Sequence, residues 1–403
     1  MNASARGLQG VGKALWRRLP RGLRRAGMVR VSAALAPKPD RVPPSRSDGI
    51  IVAGDFAGSS GLAESARVLH KVAAAHGLAR GAVPLGLPGF VEMQPQALAP
   101  GAALLAVVNA PVLPTSLLRL PRGALKGRRM IGFWAWELPV VAADWAEGAK
   151  FVHEIWGCSR FTAAAFEPLA PGRVRAVPYP VAEMDLPAEG ERADFGIPDG
   201  VFVVTTIFNL ASSLVRKNPV GAIAAFKAAF GEKRDYLLVL KLSHVDAYPE
   251  DVALIRAAIG DARNVVLLTE TVSEARLRGL MRASDVVLSL HRAEGFGLIP
   301  ATAMLLGRAV VATGWSGNMD FMTPEVSGLV PYRLVKAEDP RGTYALAGAE
   351  WAEPDVEAAA VELRRLAGNA DARHAMAAAG QAYTRQALGA EPFLAALRAA
   401  GVA

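Results

Sequence analysis

Cysteine is almost absent from this 403-residue chain, with Cys158 the only one. A single thiol excludes an internal disulfide framework and any metal site built from cysteines alone, and it is compatible with a reducing cytosol. The six histidines form no H-E-x-x-H pair and no spaced carboxylate cluster, so no metal site is expected. A G-x-S-x-G elbow is missing as well, which argues against a serine hydrolase. Long apolar runs are lacking too. VFVVTTIFNL (201–210) and YLLVLKL (236–242) fall far short of the roughly 20 residues a membrane span needs.

Acidic residues are absent from the first 39 positions, which carry nine Lys or Arg (Arg6, Lys13, Arg17, Arg18, Arg21, Arg24, Arg25, Arg30 and Lys38). The chain's net charge of +8 therefore belongs to this segment, and the rest is close to neutral. Val11, Leu15, Trp16, Leu19 and Leu23 are interspersed among the arginines, without the clean apolar core and cleavage site of a secretory signal. Three readings stay open for residues 1–39: adsorption to an anionic membrane surface, a disordered basic leader, or a start codon placed too far upstream. No nucleic acid is expected as a partner, because no zinc finger, recognition helix or aromatic and basic sheet follows.

What is abundant indicates a folded, turn-rich protein: 52% hydrophobic residues, mean hydropathy +0.24, 39 Gly and 27 Pro. Its length predicts two domains. After a basic tail and linker (1–48), strands are expected at 49–56, 103–109, 129–136, 151–159 and 174–181. A helix follows the turn AGSSG, so residues 49–182 read as a doubly wound parallel sheet. The polar, turn-rich stretch 183–200 marks a boundary. A second alternating set then fills residues 198–375, with further helices at 376–403. The expected fold class is α/β, with two facing Rossmann-like doubly wound domains and a cleft where ligands bind beyond the strand carboxyl ends.

Chemistry concentrates in HRAEGFGLIPATAM (291–304). Glu294 follows the buried strand DVVLSLH, Gly295 and Gly297 let the backbone bend closely against a ligand, and a helix begins near Pro300. Amides of Phe296, Gly297 and Leu298 at a helix start suit an anion, and the neighbouring carboxylate suits hydroxyls. Acid and anion site together point to a phosphorylated polyol. Arg216 and Lys217, ahead of the helix beginning at Pro219, are placed to neutralise a diphosphate.

In the first half, Gly58, Ser59, Ser60 and Gly61 form a tight loop able to approach a phosphate or sugar across the cleft, or simply to turn the chain. It does not match G-x-G-x-x-G, which disfavours a nicotinamide enzyme. Trp134 and Trp136 suit sugar stacking or core packing, with core packing explaining at least one. Glu137 reads as an acceptor-side or domain-face group, and His153 as an interior histidine.

VRKNPVGAIAAFKAAF and ASDVVLSLHRAEGFGLIPATAMLLGRAVVATGWSGNMDF resemble segments of glycosyltransferase family 4, retaining enzymes of the GT-B architecture. GLAESAR, GFWAWELP and EIWGCSRF resemble a bacterial branch of that family acting in surface-polysaccharide assembly, and the likeness extends over nearly all of 49–389. It implies that Glu294 bonds donor-sugar hydroxyls and that the Phe296–Leu298 backbone meets the phosphates. Arg216 and Lys217 would neutralise the leaving diphosphate, and the loop Gly58–Gly61 would approach from the other domain. The last helices would cross back onto the first domain. No cofactor is implied beyond a nucleotide-sugar substrate such as GDP-mannose or UDP-glucose, with a glycan or lipid-linked acceptor. The implied location is cytoplasmic, peripheral to the inner face of the cell membrane. One position departs from the pattern: where the family has a second glutamate for the ribose, eight residues after Glu294, this chain has Thr302. That departure keeps a catalytically reduced sugar-nucleotide or glycan-binding protein open as the alternative.

Overall fold

A computed structural model describes residues 21–403 except 59, 88, 90 and 93–97. Ser59 and most of the basic segment's apolar residues thus lie outside the described residues. Two six-stranded sheets, parallel throughout, form the two domains. The first has the order β2-β1-β3-β4-β5-β6, from β1 (Ile50–Gly54), β2 (Ala79–Pro84), β3 (Ala103–Val107), β4 (Met130–Trp134), β5 (Glu154–Gly157) and β6 (Val174–Ala176). In β1, β3 and β4 every residue is buried, as expected for strands covered on both faces.

The second sheet has the order β12-β11-β10-β7-β8-β9. Its strands are β7 (Phe202–Asn209), β8 (Tyr236–Ser243), β9 (Val265–Leu268), β10 (Val286–Ser289), β11 (Ala309–Thr313) and β12 (Gly328–Val330). An antiparallel hairpin of β13 (Tyr332–Lys336) and β14 (Glu350–Pro354) is appended to it. The hairpin and two of the four edge strands, β2 and β12, carry no long apolar run. For that reason they are invisible to hydrophobic patterning.

Three features place the site. The helix expected from Pro300 begins two residues earlier, at Leu298, because Gly297 adopts φ 100° and acts as its N-cap. The helix Glu391–Ala399 packs on the first domain, with buried Phe393 6.2 Å from the Trp156 ring, and Gly49 N–H donates to the Ala403 carbonyl at 2.8 Å. A ring chain runs from Phe133 through Tyr179 and Phe296 to Phe321, with centroid steps of 5.2, 4.9 and 5.3 Å. Apolar core therefore continues from one domain into the other and fixes their loops against each other.

At the N-terminal side, where the sequence suggested tail and linker, the helix Arg21–Leu35 docks on the first domain. Val29, Ala33 and Ala36 are buried there, and Thr115 Oγ1 donates to Ser32 Oγ at 3.0 Å. Among the described residues no helix is long and apolar enough to cross a membrane.

Candidate active site in the interdomain cleft

The loop after β10 is assembled by both domains. Gly317 N–H donates to the Glu294 carbonyl at 2.9 Å, and Glu294 N–H donates to Ser316 Oγ at 2.8 Å. From the first domain, Ser159 Oγ donates to the Gly295 carbonyl at 2.6 Å, with the Thr162 hydroxyl 2.9 Å from the same oxygen. Side chains are excluded where these turns meet. A Cβ on Gly295 would lie 2.9 Å from the Trp136 carbonyl, and one on Gly317 would lie 2.1 Å from the Gly295 carbonyl. Gly297 then opens the helix Leu298–Leu305 with no side-chain cap on its first amides, an end suited to an anion.

Glu294, 9% exposed, faces two cations. Lys217 Nζ donates to its Oε1, and Arg216 Nη1 lies 3.3 Å from its Oε2. Burial works against the Glu294 anion, but Lys217, Arg216 and His291 outweigh it and hold the carboxyl down at about 2. Lys217 is pulled below the ordinary ammonium range, chiefly by burial and opposed by Glu294. Arg216 remains a cation because Tyr344, Glu294 and Glu137 outweigh its burial.

The guanidinium of Arg216 is enclosed. Nη1 donates to the Ala293 carbonyl at 2.8 Å and Nε to the Ser212 carbonyl at 3.1 Å, while Nη2 is 3.8 Å from Glu137 Oε1. Its plane lies 5.5 Å from the Tyr344 ring. Lys217 has a more open position at the end of the short helix Leu214–Lys217. The cluster Arg216, Lys217, Glu294 and Glu137 sums to zero formal charge, its two cations balanced by two carboxylates.

Sequence reasoning selected Arg216, Lys217 and Glu294 separately, and the fold brings them into contact. Phe296 serves the interdomain core with its ring, leaving only its backbone to the loop. Thr302 is buried within the helix Leu298–Leu305. The first-domain loop divides. Gly61 reaches the second domain, since a Cβ there would lie 3.1 Å from Leu298 Cδ1. Gly58 N–H, in contrast, is spent on Asp55 Oδ1 at 2.9 Å, and Ser60 Oγ caps its own helix by accepting from Ala63 N–H at 3.2 Å.

Trp134 is fully buried against Trp145 and Phe166, and Trp136 is buried with its indole N–H donating to the Val140 carbonyl at 2.7 Å. His153 is interior, with Nδ1 accepting from Met130 N–H at 2.8 Å and Nε2 facing the Asp40 carbonyl at 2.9 Å.

Two contributors escaped the sequence. His291 is completely buried, with Ser289 Oγ 3.0 Å from Nδ1 and Asn318 Oδ1 3.1 Å from Nε2, and burial pulls its pKa down. Its only signal was its place three residues before Glu294. Tyr344 comes from the loop of the β13–β14 hairpin, and nothing in the local sequence indicates that it returns to Arg216.

Residues 214–348 match the family model for glycosyl transferases group 1. No curated protein matches the sequence. Among solved structures, HepE of Anabaena, in complex with UDP and glucose, aligns with a TM-score of 0.61 at 14% identity over 87% of this chain and 100% of its own. Sucrose-phosphate synthase of Thermosynechococcus elongatus aligns with a TM-score of 0.62 at 16% identity, covering 87% of this chain and 98% of its own. A glycosyltransferase of Rickettsia africae gives 0.62 at 11% identity, over 88% and 98%. At such identities the likeness establishes the fold. Two facing Rossmann-like domains of the GT-B type define the fold class of this protein, and the segment matching the group 1 glycosyl transferase model lies in the second.

Proposed function

We propose that this chain is a retaining glycosyltransferase. It moves a hexose of the mannose or glucose type from a nucleoside-diphosphate sugar to a glycan or lipid-linked oligosaccharide of a bacterial surface polysaccharide. The observation carrying this reading is the Lys217–Glu294–Arg216 contact beside the uncapped helix start at Gly297. A carboxylate among cations, next to an anion-binding turn, fits a ligand that offers hydroxyls on one side and phosphates on the other.

On donor binding, Glu294 exchanges Lys217 for hydroxyls of the sugar. The freed ammonium then faces the β-phosphate, where negative charge grows as the bond to the anomeric carbon breaks. Arg216, held by two carbonyls, keeps Glu294 and the loop in register. The acceptor hydroxyl arrives from the first domain and passes its proton to the departing phosphate, on the same face of the sugar, so configuration is retained. This route requires no metal and no carboxylate nucleophile. The loop at Gly61 closes over the donor from the opposite side.

The test is release of nucleoside diphosphate by the purified full chain from a panel of UDP-, GDP- and ADP-sugars, with and without lipid-linked acceptors. Donor-selective release that depends on Glu294 supports transfer. Thr302 favours a second reading, a sugar-nucleotide-binding protein of reduced activity, since its hydroxyl is shorter than a carboxylate and uncharged. Saturable nucleotide-sugar binding without release would establish that reading instead.

A further inference from the structure

The helix Arg21–Leu35 meets the first domain by one face. Val29 and Ala33 turn inward, and the helix rests on the short helices Leu113–Leu117 and Trp145–Ala149. Away from that contact Met28, Val31 and Leu35 stand 48%, 60% and 69% exposed. Spacings of three and four residues align them in one stripe. Exposed Arg30 lies on the same helix, and Leu118, at the end of one supporting helix, is exposed as well. Apolar side chains of this size, open to water on a helix already docked elsewhere, call for a covering partner.

Charge selects that partner. Nine basic residues and no acid occupy positions 1–39 of the sequence, so the segment that carries the stripe attracts an anionic surface. We infer that the Met28–Val31–Leu35 stripe is a docking surface for an anionic membrane. The helix lies in the plane of the interface, its three apolar side chains enter the boundary between headgroups and acyl chains, and Arg30 lies against acidic headgroups. A second copy of the chain fits less well, because three side chains fall far short of the roughly 800 Å² per partner of a stable protein interface. Both supporting helices lie in the segments that follow β3 and β4 at their carboxyl ends, and the turn bearing Trp136 and Glu137 also leaves β4 there. The docked bilayer thus lies on the first domain, beside its cleft-facing segments. This inference goes beyond the transferase reading and does not depend on it.

The experiment is co-sedimentation of the full chain with phosphatidylcholine vesicles, with and without phosphatidylglycerol. Binding is expected only with phosphatidylglycerol and should weaken with salt. Replacing Met28, Val31 and Leu35 together by serine should weaken it about tenfold or more, and Arg30→Glu by roughly fivefold or more. Thermal midpoints should stay near the parent's, because these side chains are exposed. Absence of binding by the parent chain, or equal binding by the serine variant, overturns the inference. So does a parent dimer that the serine variant converts to monomer while vesicle binding persists, which would make the stripe a contact between copies. If the serine variant melts early, Arg30→Glu and single Leu35→Ser decide the matter, and undiminished binding by both overturns the inference equally.

Discussion

The hydroxyl of Tyr344 donates to Oε2 of Glu137 at 3.2 Å, joining the loop of the β13–β14 hairpin to the turn after β4. This bond spans the two domains. Tyr344 also lies over Arg216 and against the Trp136 ring at 5.5 Å, while its own backbone N–H donates to Asp339 Oδ2 at 3.1 Å. The arrangement places a first-domain carboxylate beside the buried guanidinium of the second domain.

Removing that hydroxyl tests whether the contact positions Arg216. Tyr344→Phe keeps the ring and loses one hydrogen bond, worth about 1 kcal/mol. We expect kcat/KM for the donor to fall about fivefold, mainly through kcat, with the ring's packing and the fold retained. Steady-state kinetics beside a melting curve separate the two effects, and unchanged kinetics would refute the positioning role.

Lys217→Ala should lower kcat/KM by roughly a hundredfold or more, as expected when a charged group facing a leaving phosphate is lost. Glu294 keeps Arg216 as a partner in that variant, so circular dichroism should report an intact fold. A variant as active as the parent would falsify the assignment of Lys217 to the phosphate.

The carboxyl of Glu294 titrates at about 2 in the folded chain against 4.5 for an unperturbed glutamate. Because the folded value is the lower one, its contribution to stability is complete above about pH 4.5 and is lost as pH falls toward 2. The difference corresponds to something on the order of 3 kcal/mol. Denaturant melts of the parent and of Glu294→Gln across pH 6 to 3 should show a steeper acid loss in the parent; parallel curves would contradict the ion-pair account.

Thr302→Glu restores the carboxylate that the family resemblance implies for the nucleotide ribose. With a charge-assisted hydrogen bond regained, donor KM should drop about tenfold while kcat stays within about twofold. If calorimetry and kinetics find donor affinity unchanged or weaker, Thr302 is not at the ribose.

Much of the fold was legible because each buried strand of a doubly wound sheet is a short apolar run, as in β1, β3, β4 and β10. The site motif was legible for a local reason as well: Glu294, two glycines and a helix start lie within a few residues. Among the edge strands, β6 fell within an expected segment, whereas β2 and β12 escaped because neither carries the apolar run that marks a central strand.

The sequence by itself determined which groups this chain carries: two cations, an acid and a glycine-bearing helix start at strand ends, and a basic first segment. Only tertiary structure decided how these groups meet. It enclosed Arg216 between carbonyls while leaving Lys217 more open, committed the Gly58 amide to Asp55 while setting Gly61 against Leu298, and carried Tyr344 across to Glu137. Such facts depend on contacts between residues far apart in the chain, some more than 200 positions, and local propensity holds no record of them.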